Sequence, residues 1–198
     1  MKRYGIFGGT FNPPHIAHLI HAESVREQMS LDKVIFIPSG NPPLKEDVNV
    51  SAEHRLNMAK IAFERDKNFE VSDIELFNDG EKTYTVDTLL KLREKYKDDF
   101  IKFFLIIGMD NLIDLHLWKT PGKIFGICEV IVINRPGYYI DKVTNEFAKR
   151  VTYVPVPSLD ISSSQIRDLI YQKKSVKYQI LPEVEEYILK NNLYKLNK

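Results

Sequence analysis

The stretch GGTFNPPHIAH, Gly8 to His18, follows the apolar run RYGIF (3–7) and gathers two glycines, two adjacent prolines and two histidines within eleven residues. A Gly-Gly after a strand makes a tight turn, and the missing Cβ also lets backbone N–H groups approach a phosphate. The glycines do not form G-x-G-x-x-G, and G-x-x-x-x-G-K-[ST] occurs nowhere in the chain. Neither a dinucleotide fingerprint nor a P-loop is therefore supported. A residue before proline is pushed out of the α region, so Asn12 and Pro13 are expected to be extended, with Pro14 the first helical residue. Such a start has no polar side chain at the N-cap and leaves the first-turn N–H groups and the positive end of the dipole to an anion. His15 and His18 fall on one face of that helix, and His21 repeats the spacing one turn deeper. Zinc is the poorer reading, because the i,i+4 arrangement is absent and no carboxylate or cysteine is placed as a further ligand. Two imidazoles over an anion-binding helix start read better as donors to phosphate oxygens.

Outward from this turn, short apolar runs alternate with amphipathic ones. RYGIF (3–7), KVIFIP (33–38), FEVSDIEL (69–76), KFFLIIG (102–108), EVIVINR (129–135) and VTYVPV (151–156) read as strands. Several are almost continuously apolar, as parallel strands covered on both faces are. Helices are expected at about 15–29, 51–65 (with Ser51 as N-cap), 85–96, 110–117, 141–149, 164–173 and 182–190. The alternation predicts an α/β fold: a doubly wound, Rossmann-like parallel sheet with helices on both faces. Residues 1–198 read as a single domain, with the helices from about Ser158 docked on the same sheet. Ligands of such folds sit beyond the C-terminal ends of the strands, often at the first βα turn. The opening stretch occupies that turn. The loops PSGNPPLKEDVNV and FNDGEKTYT are turn-rich candidates for substrate contacts.

Bulk properties exclude several classes. Lys and Arg number 28 against 27 Asp and Glu, so there is no overall field to hold nucleic acid or an anionic membrane. The single cysteine, Cys128, rules out an intrachain disulfide and a multi-thiolate metal site, and reads as a small buried hydrophobe. No stretch reaches the ~18 apolar residues of a membrane span. The basic opening is interrupted by glycines too early for a signal peptide, so a reduced, cytoplasmic location is expected.

A second stretch, ISSSQIR (Ile161 to Arg167), lies about 145 residues after the first. By itself, Ser162 with Gln165 is an S-x-x-Q capping box, to which Ser163 and Ser164 add hydroxyl and amide donors and Arg167 a planar fork suited to phosphate. The two stretches together resemble the T/HxGH and ISSTxIR signatures of the nucleotidyltransferase superfamily. TYTVDT (83–88), IIGMDNLIDLHLW (106–118), NRPG (134–137) and the LPEVEEYILKNNLY ending are similar to bacterial nicotinate-mononucleotide adenylyltransferases. Asn12 stands where that family usually has Asp, and Ala17 at the glycine of its HxGH.

The resemblance implies adenylyl transfer from ATP to nicotinate mononucleotide in NAD biosynthesis. It assigns His15, His18 and Arg167 to the reacting phosphates, with the backbone of Gly8, Gly9, Thr10 and Phe11 beside them. Ile161, Ser162, Ser163 and Ser164 would hold the β- and γ-phosphates, and Gly108 and Asp110 the ribose of ATP. Thr85, Trp118, Lys45 and Arg135 would line the mononucleotide side, Trp118 by stacking on the pyridine ring. Read from the residues alone, Trp118 suits a core, Thr83 or Thr85 an N-cap, Asp110 a helix cap, and Lys45 and Arg135 solvated loops. Mg²⁺ would accompany ATP, held mainly by substrate oxygens and water, with no metal site of the protein's own. The partners are small molecules, with neither nucleic acid nor membrane, and a homo-oligomer stays open. Phosphopantetheine adenylyltransferase is the close rival, and a non-catalytic nucleotide sensor of the same fold the distant one. A phosphate monoester is already an anionic nucleophile, which agrees with the absence of a carboxylate pair or a Ser/His/Asp set.

Overall fold

Among the described residues six strands form one all-parallel sheet: β1 (Lys2–Gly9), β2 (Lys33–Pro38), β3 (Phe69–Val71), β4 (Ile101–Gly108), β5 (Glu129–Ile133) and β6 (Thr152–Val154), in the order β3-β2-β1-β4-β5-β6. The computed structural model describes residues 1–41, 50–76, 81–97 and 100–195. The helices are α1 (Ile16–Gln28), α2 (Ala52–Phe63), α3 (Thr85–Lys95), α4 (Met109–Ile113), α5 (Pro121–Ile127), α6 (Ser163–Tyr171) and α7 (Pro182–Lys190). The alternating side chains of the strands feed two cores. On one face Phe7, Phe36, Phe104, Ile106 and Ile131 meet α1, α2, α6 and α7. On the other Ile6, Ile35, Leu105 and Val130 meet α3, α4 and α5. The sheet direction reverses its winding between β1 and β4, and the crevice at their C-terminal ends is the ligand position of doubly wound sheets.

All six expected strands form, β2 with the expected bounds. The run at 69–76 shortens to Phe69–Val71, because Ser72 leaves the ladder while its N–H still reaches the Phe36 carbonyl and Asp73 opens a turn closed by Leu76. Ser51 caps α2 as expected, its Oγ accepting from the His54 N–H at 3.3 Å. The segment 110–117 divides into α4 and a 3-10 turn, Leu115–Leu117, and 141–149 becomes two 3-10 turns, Ile140–Lys142 and Glu146–Arg150. The seven-residue α5 escapes the sequence pattern, since two glycines dilute its apolar period. Cys128 is buried at its end, its thiol pushed up to about 12 by burial. Among the described residues no helix is long and apolar enough to cross a membrane.

Phe36 and Phe63 stack at 3.7 Å between centroids, Phe7 stacks against Phe36 at 5.6 Å, and Phe11 packs edge-on against both Phe36 and Phe63. Each buried ring contributes roughly 1.5–3 kcal/mol. This aromatic floor lies directly beneath the turn that joins β1 to α1 and anchors Phe11, whose backbone is held in the left-handed region at φ 46°.

Candidate active site

The glycines are the last two residues of β1 rather than part of a separate turn, because the Gly9 carbonyl still accepts from the Ser39 N–H at 2.9 Å. Helix α1 then begins at Ile16, two residues later than the prolines suggest. The Asn12–Pro13 bond is cis, and His15 stays extended at φ −142°, ψ 169°. His15 is itself the N-cap, and its N–H donates to Nδ1 of His18 at 3.1 Å. The expectation of an uncapped α1 start is thereby corrected. Two of its first-turn amides are already in use: Ile16 N–H donates to the Gln179 carbonyl at 2.9 Å, and His18 N–H to the His15 carbonyl at 3.0 Å.

The same contact fixes the chemistry of His18. With Nδ1 accepting, the neutral ring carries its proton on Nε2, which makes that atom a donor. The His15 and His18 rings stack at 3.6 Å between centroids, and Phe11 meets His18 edge-on at 5.0 Å. Burial holds the His15 pKa down to about 3, with the positive charge of His21 and Arg135 adding to the depression. His15 is therefore a neutral imidazole at pH 7. His21 lies off this pair, tied by its ring nitrogen to the Pro157 carbonyl at 3.0 Å.

The second motif meets the first. Ser162 caps α6, its Oγ accepting from the Gln165 N–H at 3.2 Å while Gln165 Oε1 accepts from the Ser162 N–H at 3.0 Å. Ser163 Oγ donates to the Pro13 carbonyl at 2.8 Å, and Arg167 Nη1 donates to the Asn12 carbonyl at 2.8 Å. Arg167 Nη2 also reaches Ser164 Oγ at 3.2 Å. Ile161 precedes the cap and packs partly buried on the α1/α2 core. The amides of Ser163 and Ser164 have no acceptor among the described residues. The α6 start thus leaves two adjacent amides for an anion, whereas at the α1 start those of Ile16 and His18 are taken.

Two residues the motifs did not point to hold this turn. Arg55, on the buried face of α2 and 1% exposed, donates from Nη1 to the Thr10 carbonyl and from Nη2 to the Gly40 carbonyl, each at 3.0 Å. Burial lowers its pKa from the ordinary arginine value. Because a trans peptide sets C=O and N–H on opposite sides, the Thr10 carbonyl on Arg55 aims the Phe11 N–H the other way. That amide has no acceptor among the described residues. Tyr194, near the end of the described chain, donates from its hydroxyl to Asn12 Oδ1 at 2.7 Å. A carbonyl-gripping Arg and a remote Tyr leave no local pattern, so only the fold reveals them.

Beside the turn, a cleft of about 280 Å³ opens over the ends of β1 and β4, lined by Gly8, Gly9, Thr10 and Gly108 and, opposite them, by Thr85 and Trp118. Its volume is near the lower end of small-molecule sites. Trp118 is half-buried: it packs against the second core and also lines the cleft. Tyr84, not Thr83 or Thr85, takes the N-cap position of α3. Thr85 begins the helix, and the hydroxyl of Thr83 is buried in the cleft wall without a partner among the described residues. Gly108 caps α4, so Asp110 lies in its first turn rather than at the cap. A Cβ at Gly108 would collide with Asp110 Oδ1, which is buried and has no partner among the described residues, while Asp110 Oδ2 is ion-paired with Arg135. Arg135 thus lies with Asp110, and its guanidinium covers the Tyr138 ring at 5.6 Å. It is not part of the cleft wall that carries Trp118. Lys45 lies outside the described residues.

A cytidylyltransferase-like family model matches residues 6–169. A "probable nicotinate-nucleotide adenylyltransferase" of Clostridium novyi is 38% identical over 98% of this chain and 100% of its own. One of Caldicellulosiruptor saccharolyticus, bearing the same name, is 37% identical over 98% and 99%. Among solved structures, a Plasmodium falciparum nicotinic acid mononucleotide adenylyltransferase complexed with NaAD superposes with a TM-score of 0.80 at 24% identity, covering 98% of both chains. The same enzyme complexed with APC gives 0.76 at 25% identity, again over 98% of both.

Proposed function

As the chain belongs to the cytidylyltransferase-like family and, within it, to the nicotinate-nucleotide adenylyltransferases, we propose that it transfers the adenylyl group of ATP to nicotinate mononucleotide, forming deamido-NAD and releasing pyrophosphate in NAD biosynthesis. The observation that carries the residue-level reading is the meeting of the two motifs, Arg167 on the Asn12 carbonyl and Ser163 on the Pro13 carbonyl. Together they make a donor-rich wall beside the cleft at the β1/β4 switch point.

In this reading the triphosphate lies along that wall. His18 Nε2–H donates to the α-phosphate, with neutral His15 stacked behind it and the Phe11 amide alongside. Arg167 and the free amides of Ser163 and Ser164 take the leaving pyrophosphate. Asp110 Oδ1 accepts from the ribose of ATP, while Arg135 holds the other carboxylate oxygen. The mononucleotide enters from the Thr85 and Trp118 side, with its pyridine ring against the indole. Its phosphate attacks in line, so the protein's task is alignment and neutralisation of charge, with no general base.

Mg²⁺ enters with ATP in this reading. The side chains beside the turn are imidazoles, hydroxyls and a guanidinium, which donate hydrogen bonds to phosphate rather than ligate a hard cation. Among the described residues no three His, Cys, Asp or Glu side chains gather as a metal site. The donor set therefore suits a cation carried on phosphate oxygens and water, where it would offset charge on the phosphates.

The test is pyrophosphate release from ATP and Mg²⁺ with nicotinate mononucleotide, nicotinamide mononucleotide or phosphopantetheine as acceptor. Release is expected with the nicotinate substrate. Release with phosphopantetheine alone, or ATP binding without release under any acceptor, overturns the proposal.

A further inference from the structure

We propose that Tyr194 is a positioning residue for this reaction: its hydroxyl orients the Asn12 carboxamide and thereby sets the turn between Thr10 and His15. The inference rests on the adenylyl-transfer reading but is testable apart from it. Asn12 is 4% exposed and gripped at both of its oxygens, by Arg167 on the backbone carbonyl at 2.8 Å and by Tyr194 on Oδ1 at 2.7 Å. The alternative acceptor for the phenol is Met58 Sδ at 3.9 Å, a far weaker one. With Oδ1 occupied, the carboxamide has one orientation, and its NH₂ faces away from Tyr194.

Delivering that hydroxyl requires an unusual chain path. After α7 the backbone enters the left-handed region twice within three residues, at Asn192 (φ 53°) and Tyr194 (φ 61°). Between them Leu193 is buried and holds the segment on the α1/α2 core. Non-glycine residues adopt such angles where surrounding structure enforces them, and here the enforced product is one phenol placed on one carboxamide. Arg55 and Arg167 both act electrostatically on the phenol, yet burial outweighs them and raises its pKa above the ordinary tyrosine value, so it remains a donor. Without the hydroxyl, Asn12 Oδ1 is a buried acceptor with no partner, and the carboxamide turns to find one. The displacement passes along a short turn to His15 and the His18 ring that accepts its N–H.

Tyr187 supplies an internal control. Its hydroxyl joins α7 to α2 through His54 Nδ1 at 2.9 Å and Asn57 Nδ2 at 3.1 Å and does not touch the turn. Steady-state kinetics of Tyr194→Phe, Tyr187→Phe, Asn12→Ala and the Tyr194→Phe/Asn12→Ala double variant, with thermal unfolding of each, test the assignment. Tyr194→Phe is expected to lower kcat about tenfold, the worth of one well-placed hydrogen bond. KM for both substrates should move less than twofold. Tyr187→Phe should lower Tm and leave kcat unchanged, and the double variant should be no slower than Asn12→Ala alone. A kcat for Tyr194→Phe within twofold of wild type, or additive losses in the double variant, overturns the proposal. If wild type itself releases no pyrophosphate, the reaction reading falls alone, and the Asn12 amide and carboxamide NMR signals then decide. They must shift in Tyr194→Phe and stay in place in Tyr187→Phe, and unshifted signals in Tyr194→Phe overturn the assignment.

Discussion

Replacing Arg55 by Met removes the pin between the phosphate-side turn and the loop after β2 while keeping most of the side-chain volume. Two part-buried carbonyls, Thr10 and Gly40, lose charge-assisted bonds of 3.0 Å. Each buried acceptor left unpaired costs about 1–3 kcal/mol. Against this, a cation 1% exposed and without an ion-pair partner among the described residues no longer has to be desolvated, which returns part of the loss. The net expectation is a destabilisation of about 2–4 kcal/mol. For a chain of this length that is a fall in Tm of about 4–16 °C. Arg55→Lys should recover part of it, since an ammonium on a single stem cannot span both carbonyls. Thermal and urea unfolding by circular dichroism, with unchanged m-values, measure the loss, and pyrophosphate release measures its effect on rate. Arg55→Met with a Tm within 1 °C of wild type would refute the reasoning, because the carbonyls would then have no need of the guanidinium.

In the proposed reading His18→Ala deletes a donor to the α-phosphate and should cost on the order of 10²–10³ in kcat; a loss below about tenfold in folded protein rejects the role. If Trp118 stacks on the pyridine ring as proposed, Trp118→Ala removes a face worth about 1–3 kcal/mol, so KM for the mononucleotide should rise at least fivefold while KM for ATP stays put. A rise shared equally by both substrates would place the indole elsewhere. His15 titrates near 3 when folded and near 6.5 when unfolded, so its contribution is fully present above pH 6.5 and lost as pH falls toward 3. The slope is at most about 1.4 kcal/mol per pH unit. His21, also depressed by burial, acts in the same direction. Urea unfolding at pH 7.5 and 5.0 should show His15→Asn losing about 2 kcal/mol less than wild type over that interval; equal losses would show that His15 is not buried as a neutral ring.

What could be read in the sequence was whatever is local. β2 emerges with the expected bounds because VIFIP (34–38) is continuously apolar between Lys33 and Ser39. The capping box of α6 is equally local, as Ser162 and Gln165 need only each other. The start of α1 was misplaced because Pro14 satisfies the rules for a first helical residue, while the competing side chain, His18 Nδ1, lies inside the helix it caps. The same local view made α1 the anion seat, although a carbonyl 163 residues away, that of Gln179, takes the Ile16 amide. Arg55, and the role of Tyr194 at the end of LPEVEEYILKNNLY, are illegible for a related reason. Their partners are the carbonyls of Thr10 and Gly40 and a single Asn side chain, in loops remote in sequence, and neither contact imposes a period.

The grip on Asn12 also has a consequence in time. During synthesis the N-terminal segments emerge first, and domains fold as their contacts become available. The turn that bears His15 and His18 is among the earliest residues made, yet its Asn12 is held by Arg167 and Tyr194, separated from it by 155 and 182 residues. A nascent chain carrying β1 to β5 has most of the sheet but neither clamp. The turn the ribosome makes first is therefore completed last, and a truncated product has a sheet without a working phosphate seat.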